Sequence, residues 1–151
     1  MFATIQRVSS ASVVVDGRTV GSIQGGLAVL LGVREGDTAA EAELLARKTA
    51  SLRIFCDEND KMNLSLLDIG ADALVVSNFT LCADVKKGNR PSFINAMEPS
   101  GADELYRHYC NCLRELGVSS VETGEFGAKM TVNIMGDGPI TINLDTDIWR
   151  K

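Results

Sequence analysis

The sequence predicts an α/β protein, a single domain over residues 1–151 with a curved, mixed or barrel-like β-sheet and two long helices. Three observations carry this expectation. Roughly seven or eight stretches have β-branched apolar runs or period-two alternation, and most are joined by hairpin-like connections. Two longer stretches carry apolar residues at helical spacing. No GxGxxG follows a strand, and Gly25-Gly26 precedes a strand rather than a helix, which argues against a doubly wound nucleotide-binding fold.

The elements follow in order. Phe2 to Ser9 reads as a strand, and Ser12 to Val15 continues extended into the tight-turn pair Asp16-Gly17. Arg18 to Ile23 returns as the second arm of a hairpin. Gly25-Gly26 breaks the pattern. Leu27 to Val33 is nearly all apolar, as expected of a strand covered on both faces. Thr38 and Glu41 have capping-box spacing, with Asp37 as a rival cap, and a helix follows to about Leu52 with Ala42, Leu45, Thr49 and Leu52 on one stripe. Arg53 to Cys56 is a short extended piece, Asp57 to Asp60 a polar turn, and Ser65 to Asp68 one helical turn before Gly70.

Leu74-Val75-Val76 then opens a buried strand expected from about Ala73 to Cys82. It ends in Ser77-Asn78-Phe79-Thr80, polar groups around one aromatic, delivered by a stiff support. The same stretch also fits a core strand that turns polar at the surface. The loop from Asp84 to Pro99 is long enough to be functional. Ser100 and Asp103 offer a second capping box, before a helix with the stripe Ala102, Leu105, Tyr106, Tyr109, Leu113 and Leu116, closed by Gly117. Val118 to Val121 reads as extended and Glu122 to Ala128 as a glycine-rich loop. Met130 to Met135 and Ile140 to Leu144 alternate as half-buried strands, interrupted at Gly136-Asp137-Gly138-Pro139.

Composition is that of a globular protein, 45% hydrophobic and 23% charged. No apolar run is long enough to cross a bilayer, and the N-terminus lacks a signal-peptide layout, so a cytoplasmic location is the default. Cys56, Cys82, Cys110 and Cys112 form no CxxC pair, and with one histidine no usual zinc set is readable; buried reduced thiols are expected. Net charge is −5, so any nucleic-acid contact should run through a small local patch.

Nucleophilic catalysis by Ser77, Thr80 or Cys82 would need a base, and the only histidine, His108, lies mid-helix beside the apolar stripe. The carboxylates concentrate in turns and on helix faces without a paired constellation. What remains is a site built from backbone: successive N–H groups at a strand end can hold an oxyanion, which suits an activated ester rather than an amide. Gly138-Pro139 permits a cis bond, although an edge or bulge device is the commoner reading of such a proline.

These residues together resemble a known family. Ser77-Asn78-Phe79-Thr80-Leu81 is similar to the Ser-Gln-Phe-Thr-Leu motif of the D-aminoacyl-tRNA deacylases, and Gly138-Pro139-Ile140-Thr141 to their Gly-Pro-x-Thr motif. The likeness runs nearly end to end, through Ile5-Gln6-Arg7-Val8, Leu52-Arg53-Ile54-Phe55, Lys61-Met62-Asn63, Arg90-Pro91-Ser92-Phe93 and Phe126-Gly127-Ala128. Two departures stand out. Asn78 replaces the usual Gln, and Gly136 stands where the second motif usually begins with Asn.

The resemblance implies hydrolysis of the ester joining a D-amino acid to the terminal adenosine of tRNA, and action on glycyl-tRNA mischarged on tRNA-Ala. It implies a homodimer that needs no metal and no other cofactor, with a cis Gly138-Pro139 pair inserted into the partner's pocket to select chirality. Ser77, Asn78, Phe79 and Thr80 would form the catalytic segment, with the Phe79 and Thr80 amides as oxyanion donors. Phe79, Ala102, Met130 and Thr141 would line the substrate pocket. Lys86, Lys87 and Arg90 are candidate phosphate contacts at the acceptor end, although an ordinary solvated loop reads as well. Thr80 as nucleophile and water assisted by the neighbouring ribose hydroxyl both stay open, as does a non-catalytic module that binds the RNA end.

Overall fold

The computed structural model describes residues 1–150. β1 (Phe2–Val15) turns through Asp16 and Gly17 into β2 (Arg18–Ile23), followed by β3 (Gly26–Gly32). Both turn residues take positive φ, the backbone that a two-residue hairpin requires. Next come α1 (Ala39–Ser51), the two-stranded ribbon of β4 (Phe55–Cys56) and β5 (Met62–Leu64), the single turn α2 (Leu66–Ile69), and β6 (Asp72–Ser77). A 3-10 turn at Phe79–Cys82 leads by a long loop to α3 (Pro99–Glu115). β7 (Val121–Thr123), β8 (Thr131–Asp145) and a second 3-10 turn at Thr146–Trp149 complete the chain.

The main sheet is ordered β2-β1-β3-β6-β7, with β8 also paired to β1. β1 is long enough to serve three antiparallel partners: β3 along Phe2 to Val8, β2 along Ala11 to Val15, and β8 along nearly its whole length. β6 pairs in parallel with both β3 and β7. The sheet curls until β2 returns to β7, giving the nearly closed, barrel-like mixed sheet that the sequence predicts. At the seam, Gly21 lies so close to β7 that a methyl group on it would sit 2.2 Å from the Thr123 carbonyl oxygen.

Two apolar cores follow from this curvature. Leu27, Val29, Leu31, Ala73 and Val75 face α1 and α3, packing with Leu45, Tyr109 and Leu113. The alternate residues Ala28, Leu74 and Val76 face the barrel interior with Val13 and Ile23. β3 and β6 are thus covered on both faces, which explains their unbroken apolar runs. Each fully buried Leu or Val contributes about 1.5–3 kcal/mol relative to exposure. The buried Tyr109 hydroxyl donates to Thr49 Oγ1 at 2.8 Å, which in turn donates to the Leu45 carbonyl, and burial raises the phenol pKa.

The capping box at Thr38 and Glu41 forms as expected. The rival Asp37 is instead buried, accepting from the Met1 amino group at 2.7 Å and from the Arg34 amide at 2.7 Å. Ser65 and Asp68 cap α2, and Gly70 closes it in the left-handed region.

Several expected boundaries move. β6 ends at Ser77, not Cys82, because the chain coils into the 3-10 turn; Gly32 on β3 leaves room for it, with Leu81 Cβ 3.0 Å from where a side chain would start. α3 is capped by Glu98 with Pro99 in its first turn, not by Ser100 and Asp103; Asp103 pairs with Arg107 four residues on. The strand expected at Val118 to Val121 lies at Val121–Thr123, where β6 offers a partner, so Glu122 and Thr123 are not loop. Gly26 begins β3 rather than breaking it. Leu52 is half-buried and Leu116 exposed, at the ends of their stripes. Cys56 is exposed, whereas Cys82, Cys110 and Cys112 are buried.

β8 runs unbroken through Gly136 to Pro139, but its ladder does not. Between the pairs Gln6↔Thr141 and Val8↔Gly136, Arg7 alone stands opposite Asp137, Gly138, Pro139 and Ile140, so that segment is pushed out as a bulge.

Replacing Gly21 by alanine forces a methyl into β7 backbone, and we expect a stability loss of ~2 kcal/mol or more. A lower urea midpoint at unchanged slope would register it. Gly136→Ala, where a methyl would meet nothing within 4 Å, should cost less than ~1 kcal/mol.

Candidate active site

The C-terminal end of β6 opens on a cleft of about 600 Å³. Ser77, Asn78 and Phe79 form one wall, α3 contributes Pro99 and Ala102, and Phe126, Ala128 and Met130 form the opposite side. The long loop supplies Phe93, Ala96, Met97 and Glu98. The cleft therefore sits where both apolar cores reach the surface, since Ala128 and Met130 also pack on the barrel interior and Ala102 on the helix side.

β6 delivers the site segment without slack. The Asn78 amide donates to the Leu31 carbonyl at 2.8 Å, extending the β3–β6 ladder one residue past the strand. The chain then enters the 3-10 turn, whose first amides, those of Phe79 and Thr80, have no partner within the turn. The Asn78 side chain does not cap them. Its Oδ1 accepts from the Thr80 hydroxyl instead, so the hydroxyl is turned back on Asn78. Two successive N–H groups without a partner in a turn that borders an apolar cleft are suited to a developing negative charge. Phe79 is 57% exposed and meets Phe93 edge to face, with ring centroids 5.0 Å apart.

Among the described residues Glu98 is the one ionisable residue lining this cleft, and its carboxylate is occupied. It accepts from the Ser100 hydroxyl, from the Ser100 amide at 2.9 Å and from the Gly101 amide at 2.6 Å. The Ser100 hydroxyl, then these amides, hold its pKa below the ordinary 4.5. Such a carboxylate is a weak base suited to capping α3. His108 lies outside the cleft, with Nε2 3.2 Å from Glu43 Oε1 and 3.7 Å from Cys112 Sγ. Cys82 is buried with its thiol against the Val33 carbonyl, and burial pushes its pKa up. Among the described residues no Ser-His or Cys-His pair is assembled at the cleft; the contact of His108 with Cys112 lies on α3, outside it.

Of the residues singled out in the sequence, Ser77, Asn78, Phe79, Ala102 and Met130 meet at this cleft, with Thr80 in the turn beside it. Lys86, Lys87 and Arg90 are exposed on the loop, which the paired amides and carbonyls of Asp84 and Ser92 pinch shut; none of the three lines the cleft. Gly138, Pro139 and Thr141 are exposed on β8 and do not line their own chain's cleft. The Gly138–Pro139 peptide is cis. Arg7 braces this bulge: its guanidinium donates to the Ile54 carbonyl at 2.9 Å and to the Asp137 carbonyl at 3.2 Å, and pairs with the Asp137 carboxylate at 3.3 Å. Sequence reasoning missed Met97 and Glu98 as wall residues. The signal for Glu98 was Pro99, which marks the first helical position after a cap.

The Glu98 cap should be pH-dependent. A depressed carboxyl pKa stabilises the fold above pH 4.5, and the benefit is lost as pH falls through the folded-state value. We expect Glu98→Gln to lower Tm at pH 7, with the gap to wild type narrowing below pH 4.5; a gap independent of pH would contradict this role.

Comparison with known proteins finds relatives along nearly the whole chain. The family model described as D-Tyr-tRNA(Tyr) deacylase matches residues 4–145. A D-aminoacyl-tRNA deacylase of Roseiflexus castenholzii (strain DSM 13941 / HLO8) is 56% identical over 151 residues, covering 100% of this chain and 96% of the relative. One of Thermomicrobium roseum (strain ATCC 27502 / DSM 5159 / P-2) is 58% identical over 146 residues, 97% of this chain and 94% of the relative. A solved structure described as a c-Myc DNA unwinding element binding protein superposes with TM-score 0.91 at 41% identity, over 96% of this chain and 98% of that one. With the motif segment at the mouth of the cleft and the match running nearly end to end, the chain belongs to the D-Tyr-tRNA(Tyr) deacylase family.

Proposed function

We propose that the protein hydrolyses the ester joining a D-amino acid to the terminal adenosine of tRNA, as a chiral proofreading enzyme of the cytoplasm. The observation that carries this reading is the Ser77–Thr80 motif at the end of β6, with uncapped Phe79 and Thr80 amides in the turn that borders an apolar cleft. The names of the relatives support the substrate class. Water attacks the ester carbonyl, the two amides hold the oxyanion, and the acyl C–O bond breaks to free the amino acid and the ribose hydroxyl. The cleft supplies no strong base, so the neighbouring ribose hydroxyl is the better partner for the water, and Thr80 acts through its amide. Loss of one such donor typically costs ~10²–10³ in rate.

Chirality is read in this proposal by a second copy of the chain. Gly138 and Pro139 are exposed at a braced bulge and leave their own cleft untouched, as expected of a segment that serves the cleft of a homodimer partner. Their carbonyls would hold the α-amino group, and an L side chain would strike the wall. Selection by exclusion suits mirror images that attraction separates poorly. Glycine has no side chain to exclude, so glycyl-tRNA mischarged on tRNA-Ala is a further substrate. The site is proposed to need no metal. Among the described residues no group of three or more His, Cys, Asp and Glu could hold an ion.

Purified protein should release tyrosine from D-tyrosyl-tRNA and spare L-tyrosyl-tRNA. Binding without release would replace the enzyme by a binding module, and equal release from both would remove the chiral role. Thr80→Ala should retain activity within about tenfold, because the amide persists; complete loss in a folded variant would assign the chemistry to the hydroxyl. Chelator treatment should leave the rate unchanged, and inhibition restored by added metal would refute the metal-free site.

A further inference from the structure

A second cavity, of about 350 Å³, lies between α3 and the stretch that follows β7. Phe126 is a wall of both this cavity and the cleft. The two differ in chemistry. The cleft is largely apolar, whereas the second cavity is lined by Arg107, Arg114, Asn111 and Thr123, with Glu125 as the opposing carboxylate. We propose that this cavity is a phosphate subsite, gripping the sugar–phosphate backbone of the RNA 3′ end just before the terminal adenosine. The proposal rests on the deacylase reading and extends it to how the polymer is held.

Arg107 and Arg114 are seven residues apart on α3, two turns, so they share a face about 10 Å apart along the axis. Arg114 is pre-set: its guanidinium donates to Asn111 Oδ1 at 2.9 Å and to the Val121 carbonyl at 2.9 Å. Arg107 is held at Nε by Asp103 at 3.0 Å, its side chain is 71% exposed, and its two terminal nitrogens make no hydrogen bond among the described residues. One anchored and one available guanidinium suit a phosphate, which accepts planar, charge-assisted hydrogen bonds. Asp103 and Glu125 keep the attraction local, in keeping with a chain of net charge −5 that cannot draw RNA by bulk charge. Phe126, the shared partition, offers an aromatic surface against which a base can stack. Lys86, Lys87 and Arg90 line neither cavity.

The test compares D-tyrosyl-tRNA with D-tyrosyl-adenosine, which has the ester but no phosphate, using wild type, Arg107→Gln and Arg107→Lys. Arg107→Gln should raise KM for the tRNA about tenfold with kcat nearly unchanged, and leave kinetics on the adenosine ester as in wild type. The slope of log kcat/KM against log salt should flatten by about 0.7 for the tRNA only, the single-strand value for one phosphate contact. Arg107→Lys should recover part of the KM loss through its charge. An unchanged KM for the tRNA, or an equal rise for both substrates, would overturn the subsite while leaving the deacylase reading intact. A wild type inert on both substrates would overturn the reading and the subsite together.

Discussion

Everything in this molecule depends on β6 being buried on both faces. Leu74 and Val76 fill the barrel while Ala73 and Val75 meet the helices, and parallel ladders to β3 and β7 hold both edges. A strand fixed on four sides cannot slip by one residue without turning its whole apolar set the wrong way. Its last ladder bond, from the Asn78 amide to Leu31, therefore sets the position of the next amides to within the tolerance of the core. A site made from main chain needs such support, because amide donors have no side-chain freedom with which to correct an error.

The bulge on β8 follows a similar logic with different means. Extra residues forced out of a ladder would normally be loose, yet Arg7 ties them to Ile54 and to Asp137. The Arg7 side chain is only 12% exposed, so its charge is paired in partial shelter from water, where such contacts are stronger than on an open surface. In the proposed dimer both halves of the site would then be rigid backbone, one at the end of a buried strand and the other on a braced projection.

Much of this was legible in the sequence, for identifiable reasons. The unbroken apolar runs of Leu27 to Leu31 and Leu74 to Val76 announced doubly covered strands, and Thr38 with Glu41 announced a helix start through a local hydrogen-bond pattern. Asp16-Gly17 did the same for the hairpin. What escaped were features set by distant contacts. The 3-10 turn after Ser77 depends on the space above Gly32, and the placement of β7 on the exposed edge of β6. The Glu98 cap was overlooked because Ser100 is the commoner capping residue type, although Pro99 marked the true start. The cleft drew its motif residues from the recognised pattern, while its loop wall, Phe93 to Glu98, became visible only once the chain was folded.

In the proposed dimer, two main-chain amides of one subunit would meet the scissile carbonyl while the bulge of a second subunit would meet the α-amino group. The most direct measurement is a crystal structure with a non-hydrolysable D-aminoacyl-adenosine analogue. We expect a dimer, with the analogue's carbonyl oxygen within hydrogen-bond distance of the Phe79 and Thr80 amides and its amino group against Gly138 and Pro139 of the other copy. A monomer binding the analogue away from the end of β6, with residues 138–139 facing solvent, would contradict it.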